Sequence, residues 1–411
     1  MSFHQDWKQS IFAGSILLTY LLLVRFLRYR RAASLPIKHS IRSKADYPKL
    51  SADQAQDVLK DLVELEFPKL MGFSIVFALF KTYGIPAVSS LLIETGELSR
   101  PTTASRRTAD TGVLLLEFCL NKPSSARAME ATARMNYLHS RYIKAGKISN
   151  EDMLFTLSLF ALEPVRWVNR FEWRKFTEFE LCATGTFWKA MGDKMEIDFS
   201  ALPGAKEGWR DGLEWLDSIR AWSEKYEECK MRPYEANHKL VLANLDVVFL
   251  NIPENLKTWG GHIVSIVAGP RLRKAMMLAA PPEWFERSLL SVLTIRKYVL
   301  RFLALPRISR KSYIPDAPES NGRYSAKEYL SHPWYVKPTF ERRWGLKAWF
   351  TWIVGRKLPG DDGNCYNPEG YVIKELGPSS VRDKGADYMK KDLSRMSSMQ
   401  PGGCPFALAS R

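Results

Sequence analysis

The sequence predicts an all-α protein: one large helical domain with an N-terminal transmembrane anchor and an irregular C-terminal extension. Three observations carry this. Apolar residues recur at spacings of three and four from Ser51 to about Ala304, the period of a helix with one buried face. No run alternates apolar and polar residues as a half-buried strand would, and no Gly-x-Gly-x-x-Gly follows one. Prolines at 164, 233, 253, 281, 282 and 306 divide the pattern into helix-length pieces. With 411 residues, 46% of them apolar and 12% aromatic, the chain has ample material for a core.

The elements follow in order. Residues 1–27 hold the anchor, at about 9–27. The stretch from Gln9 to Val24 carries no charge and covers about 24 Å as a helix, enough to span when Lys8 and Arg25 bend their charged ends outward. A cleaved signal peptide would carry its positive charge before the apolar run; here Arg25, Arg28, Arg30 and Arg31 follow it. The same asymmetry predicts a lumenal N-terminus and a cytoplasmic body. Residues 28–50 read as a basic linker, and 51–310 as the large helical domain. Ser51 with Gln54 and Ser149 with Asp152 have capping-box spacing. The apolar run Leu70 to Phe80 is too short to span and reads as a core helix. Helices are expected at about 103–120 and 124–144, from Ser149 to a stop at Glu163-Pro164, from Val165 to about Met191, and at 208–230, 237–250, 270–279 and 283–304. Residues 311–411, rich in Pro, Gly and Asn, form the irregular extension packed on the domain.

Composition excludes some functions. Lys+Arg 60 against Asp+Glu 44 gives a formal charge of +16, but the excess is scattered among acids and tryptophans instead of gathered in one stripe, and no nucleic-acid-binding motif is present. The one local basic cluster, Arg25 to Lys49, follows the anchor and suits a membrane surface. Cys119, Cys182, Cys229, Cys365 and Cys404 are scattered and odd in number, so neither a disulfide framework nor a cysteine metal site is implied.

The chemistry concentrates in two helices. Arg107, Asp110 and Thr111 sit at helical spacing on the first; the second carries His139, and the loop at Asn121-Lys122-Pro123 lets the two fold together. Of six histidines, His4 precedes the anchor and His39 lies in the linker. No pair has metal-ligand spacing, which disfavours a multi-histidine site. One histidine suffices for heme, because the porphyrin supplies the other nitrogens. Taken alone, however, a lone histidine on a helix is more often a hydrogen-bonded structural residue, and Arg107 with Asp110 is more often an ordinary helix-face ion pair.

A resemblance shifts that balance. Arg107-Thr108-Ala109-Asp110-Thr111, Leu138-His139, Gly146-Lys147-Ile148, Glu163-Pro164-Val165-Arg166-Trp167-Val168-Asn169, Phe171-Glu172-Trp173-Arg174 and Gly185-Thr186-Phe187-Trp188-Lys189 resemble the MpaB-type ER-bound oxygenases of mycophenolic acid biosynthesis. Later strings, among them Tyr335-Val336-Lys337-Pro338-Thr339-Phe340 and Cys404-Pro405-Phe406, extend the likeness over nearly the whole chain. More distantly, 103–170 resembles the catalytic domain of bacterial rubber oxygenases, the latex-clearing proteins.

The resemblance implies an ER-membrane, single-pass oxygenase that uses heme b and O2 to cleave a carbon–carbon double bond in the prenyl, farnesyl-like chain of a lipophilic secondary metabolite. It implies His139 as the axial ligand of the heme iron, with Arg107 and Thr111 on the opposite, oxygen side. Asp110 stands where the bacterial enzymes have lysine and joins them as a candidate catalytic residue; Asn169 stands where many bacterial relatives have histidine. Glu94 matches their catalytic glutamate by position only. Two alternatives keep the fold: a heme-free, membrane-tethered isoprenoid-binding or scaffold protein, and a non-heme iron enzyme using His139 with Glu172 and Asp152.

Overall fold

A helix of 37 residues, α1 (Ser2–Lys38), leads into the body, and from Gln9 onward it is long and apolar enough to cross a membrane. Phe12, Leu18 and Leu22 on it are exposed. The computed structural model describes residues 2–249, 253–353, 355–400 and 402–406. The expected linker over 28–50 is largely helical instead, with α1 continuing to Lys38 and a 3-10 turn at Lys44–Lys49 following. Two of its arginines tie it to the body. Arg28 lies over the Trp173 ring at 4.7 Å and donates to the Ala304 carbonyl at 3.1 Å; Arg31 pairs with Glu66.

The body is a helical array. It comprises α2 (Ala52–Asp61) with a π-helical turn at Leu62–Glu66, α3 (Pro68–Thr82), α4 (Pro86–Thr95), α5 (Pro101–Leu120), α6 (Ala126–Lys144), α7 (Asn150–Phe171), α8 (Glu178–Lys194), α9 (Gly212–Lys230), α10 (Glu235–Val248), α11 (Glu254–Ala275) and α12 (Glu283–Phe302). No strand occurs among the described residues, only an isolated bridge between Tyr324 and Tyr371. Both expected capping boxes form: Gln54 N donates to Ser51 Oγ at 3.2 Å and Asp152 N to Ser149 Oγ at 3.1 Å.

Two boundaries differ from expectation. α7 runs through Pro164 to Phe171, because Pro164 costs one backbone hydrogen bond while Leu159, Leu162, Val165 and Val168 around it stay buried in one continuous face. The break falls at Glu172, and α8 opens on a capping box in which Glu180 N donates to Thr177 Oγ1 at 3.3 Å. α11 begins at Glu254, ahead of the expected 270–279, and is interrupted at Gly269, whose φ of 70° no helix accommodates. The end of the helix expected at 237–250 falls on residue 250, which lies outside the described residues.

Packing pairs α8 with α9 and α2, α3 with α7, α5 with α6, and α10 with α4 and α5. The α8–α9 approach depends on glycine: a Cβ at Gly185 would overlap the Gly212 carbonyl oxygen. α3 is a core helix on one side, burying Met71, Phe77 and Ala78, while Phe73 and Val76 reach the surface.

The extension over 311–411 contains α13 (Phe340–Trp344), α14 (Leu346–Ile353) and α15 (Ala386–Ser398) between irregular segments. Its residues 354, 401 and 407–411 lie outside the described residues. It is a strap held by buried polar groups. The fully buried Arg134 of α6 donates to the carbonyls of Leu376, Val381 and Lys384 at 2.8, 3.0 and 2.9 Å. The Tyr371 hydroxyl reaches Glu117 on α5, which also pairs with Arg127. Each group is satisfied by its partner, so burial carries little penalty.

Candidate active site

α5 and α6 place Arg107, Thr111 and His139 in one region, and the local chemistry shows how. Thr111 lies one turn after Arg107. Arg107 Nη1 donates to Thr111 Oγ1 at 2.8 Å, and that hydroxyl donates onward to the Arg107 carbonyl at 2.8 Å. His139 lies deep between the helices yet keeps some accessible surface, and its Nδ1 is buried with no hydrogen-bond partner. Burial, reinforced by the nearby Arg107 charge, lowers its pKa to about 4, so the ring is neutral at physiological pH. Tyr83, at the end of α3, is the fourth member: burial pushes its hydroxyl up to about 12, opposed by the same Arg107.

Asp110 goes elsewhere. At about 100° per residue it sits well off the Arg107–Thr111 line, and its carboxylate accepts from the Tyr335 hydroxyl and from Gly377 N at 3.3 Å, both in the strap. Its cationic neighbour in ion-pair range is Arg106, at 4.0 Å, not Arg107. Burial raises its pKa from the ordinary carboxylate value. Glu94 pairs with Lys147 at the exposed end of α4, and Asn169 Oδ1 accepts from Phe176 N at 2.9 Å, closing the α7–α8 turn.

The groups of the non-heme alternative are engaged apart from His139. Asp152 caps α7 and accepts from the Tyr226 hydroxyl at 2.9 Å; Glu172 pairs with Arg296 at 2.8 Å. Among the described residues no three His, Cys, Asp or Glu side chains are grouped to hold a metal ion. The donor set around His139 is a single neutral, unpartnered imidazole, which would suit a group such as heme that brings its own further ligands. His39 also buries an unpartnered nitrogen, Nε2, but it packs on Phe179 at the end of α1, away from any second helix carrying Arg107. His238 Nδ1 is engaged with the Met276 carbonyl at 2.9 Å, and His262 packs among the Trp259 and Phe285 rings.

A large apolar cavity of about 600 Å3 lies against the other face of α5. Ser105, Thr108, Ala109, Gly112, Leu116 and Cys119 face it, with Phe187 and Trp188 from α8; Arg107, Asp110, Thr111 and His139 do not border it. Of the aromatic residues on α7, α8 and the turn between them, Phe187 and Trp188 line this space, whereas Trp173 is fully buried, Trp167 packs on Phe73 and Phe77 of α3, and Phe171 packs on Trp167. One corner is polar. Ser105 Oγ lies 2.7 Å from His332 Nδ1, 3.1 Å from Ser331 Oγ, and accepts from Trp334 Nε1 at 3.0 Å. Nothing in the sequence marks this corner, because His332 stands in irregular chain more than two hundred residues from Ser105.

No protein-family model matches the chain. Curated relatives do. It is 38% identical over 392 residues to the ER-bound oxygenase mpaB' of Penicillium brevicompactum, covering 95% of this chain and 93% of that protein. The chain belongs to the MpaB family of ER-bound oxygenases. The ER-bound oxygenase mpaB of the same species is 36% identical over 375 residues, 91% of this chain and 89% of that protein; mpaB of Penicillium roqueforti (strain FM164) is 41% identical over 266 residues, 65% and 89%. Membership in the MpaB family supports an oxygenase role, and the apolar α1 fits the ER-bound description of these relatives.

Proposed function

We propose that this MpaB-family oxygenase cleaves a carbon–carbon double bond in the prenyl chain of a lipophilic secondary metabolite, using O2 and a heme b held by His139. The observation that carries the reading is the neutral, unpartnered His139 beside the Arg107–Thr111 pair. Heme, when bound, supplies the activation of O2. The chain's own residues do the rest: His139 offers a nitrogen that remains unprotonated, Arg107 directs a fixed positive charge at the site, Thr111 holds that guanidinium in place, and the surrounding helices exclude water, which strengthens each interaction. The apolar cavity on the far side of α5 offers volume for an isoprenoid chain, with Ser105 and His332 available to a polar head. The arginines after Val24 argue for an anchored body facing the cytoplasm, where a substrate dissolved in the bilayer is concentrated.

A second reading, an isoprenoid-binding protein without heme, is favoured by one observation: the cavity does not touch His139. Incubating membranes that contain the full chain with a farnesylated phenol, in air and under argon, separates the two. Oxygenolytic cleavage predicts a shortened product carrying a new carbonyl group in air alone; tight binding of an unchanged substrate supports the second reading. Protease added to sealed microsomes should digest the body, and a protected body would overturn the proposed orientation.

A further inference from the structure

The C-terminal end of α12 is fastened to α1 inside the membrane-spanning stretch. The Tyr20 hydroxyl donates to the Leu303 carbonyl at 2.8 Å, and Arg28 donates to the carbonyls of Ala304 and Leu305 at 3.1 and 3.3 Å. Tyr20 lies about 7 Å along the helix on the apolar side of Arg25, the residue that ends the uncharged run. Tyr20 and Arg28, about 12 Å apart along the helix on either side of Arg25, thereby hold the backbone of 303–305 near the level of Arg25. The surface around it suits that depth: Val299, Phe302, Leu303 and Leu305 are all exposed.

Between the two helices is a cleft of about 360 Å3, lined by Leu21, Leu22, Arg25 and Tyr29 of α1 and by Arg301, Phe302 and Leu303. On α1, Arg25 stands three and four residues after Leu22 and Leu21, so one helix face runs from apolar to cationic in the direction that leaves the bilayer. Neither Arg25 nor Arg301 has a carboxylate partner among the described residues; Arg301 stacks on the Phe302 ring at 5.3 Å and its buried Nε has no acceptor. Two unpaired guanidinium groups facing one cleft repel each other unless an anion lies between them. At the depth where a span's hydrocarbon ends, the available anion is the phosphodiester of a lipid.

We infer that this cleft binds a glycerophospholipid, its phosphate between Arg25 and Arg301 and an acyl chain along Leu22, Leu21 and Phe302. The inference rests on α1 lying in the membrane. The bound lipid neutralises the pair and joins α12 to the anchor, holding the body at a fixed height on the bilayer.

The test uses the full chain, extracted from membranes in mild detergent and examined by native mass spectrometry, as wild type and as Arg301→Gln. Wild type should retain one phospholipid. Losing one charge-assisted contact to phosphate should lower its occupancy about tenfold, with Arg301→Lys partly restored. Reconstitution into nanodiscs of phosphatidylcholine, with or without phosphatidylinositol, should raise the melting temperature of wild type more than that of Arg301→Gln. Equal lipid retention by the two proteins would overturn the site, and so would displacement of the lipid by millimolar inorganic phosphate, which would make the ligand free phosphate. Alkaline carbonate washing separates this from the anchoring itself: release into the supernatant defeats the anchoring, whereas firm retention with no bound lipid defeats the cleft alone.

Discussion

Arg107 and Thr111 clasp each other: the guanidinium donates to the threonine hydroxyl, and the hydroxyl donates to the arginine's own carbonyl, each at 2.8 Å. The hydroxyl proton is thereby committed to the backbone. Of the two, only Arg107 has donors left over, so in the proposed oxygenase Arg107 would face the reacting group and Thr111 would aim it.

Arg107→Ala should therefore remove most turnover while leaving cofactor content intact. A donor that stabilises developing negative charge is worth about 10²–10³ in rate. Product formation and heme content measured on one preparation decide the point. Unchanged turnover would return Arg107 to an ordinary surface role.

Thr111 separates aiming from donation. Thr111→Ser keeps the hydroxyl and should stay within about threefold of wild type, whereas Thr111→Val keeps the shape, loses the clasp, and should lose roughly tenfold or more, the equivalent of one hydrogen bond. Equal kcat for the two variants would contradict the aiming role.

His139 gives a pH signature. Its folded pKa near 4 lies below the ordinary imidazole value, so the unfolded chain binds the extra proton first as pH falls. The contribution to stability is complete above about pH 6.5 and is lost on acidification towards pH 4. Heme retention should likewise be flat from pH 8 to 6 and fail only below about pH 5. A midpoint near 6.5, followed by absorbance during a pH titration, would mean that the imidazole is solvated.

The strap depends on Arg134. Arg134→Met leaves three carbonyls, those of Leu376, Val381 and Lys384, without this donor in a buried setting, at about 1–3 kcal/mol each. The melting temperature in detergent should fall sharply, and limited proteolysis should cut first within residues 371–399. A variant as stable and resistant as wild type would show that the strap is held by its apolar contacts alone.

Much of the helical fold was legible because it rests on local rules. Ser51 with Gln54 and Ser149 with Asp152 cap helices where their spacing says they should. Pro164 misled because tertiary burial of the residues around it outweighs one lost hydrogen bond, although Thr177 and Glu180 carry the spacing that marks the true restart. At the site, helical spacing brought Arg107 and Thr111 together, but Asp110 is claimed by Tyr335 and Gly377, partners more than two hundred residues away. The same reason hides Tyr83 beside Arg107 and His332 beside Ser105: these contacts come from how the chain returns on itself, which no local pattern records.

The proposed oxygenase chemistry depends on His139 holding a heme. The most direct measurement is the absorption spectrum and pyridine hemochrome of the full chain extracted in detergent, beside His139→Ala, with circular dichroism to confirm helix content. Wild type should show a Soret band and stoichiometric heme b, and His139→Ala should lose most of both with the helices intact. A wild-type protein that turns over substrate with no Soret band, or a His139→Ala protein with full heme and full activity, would contradict it.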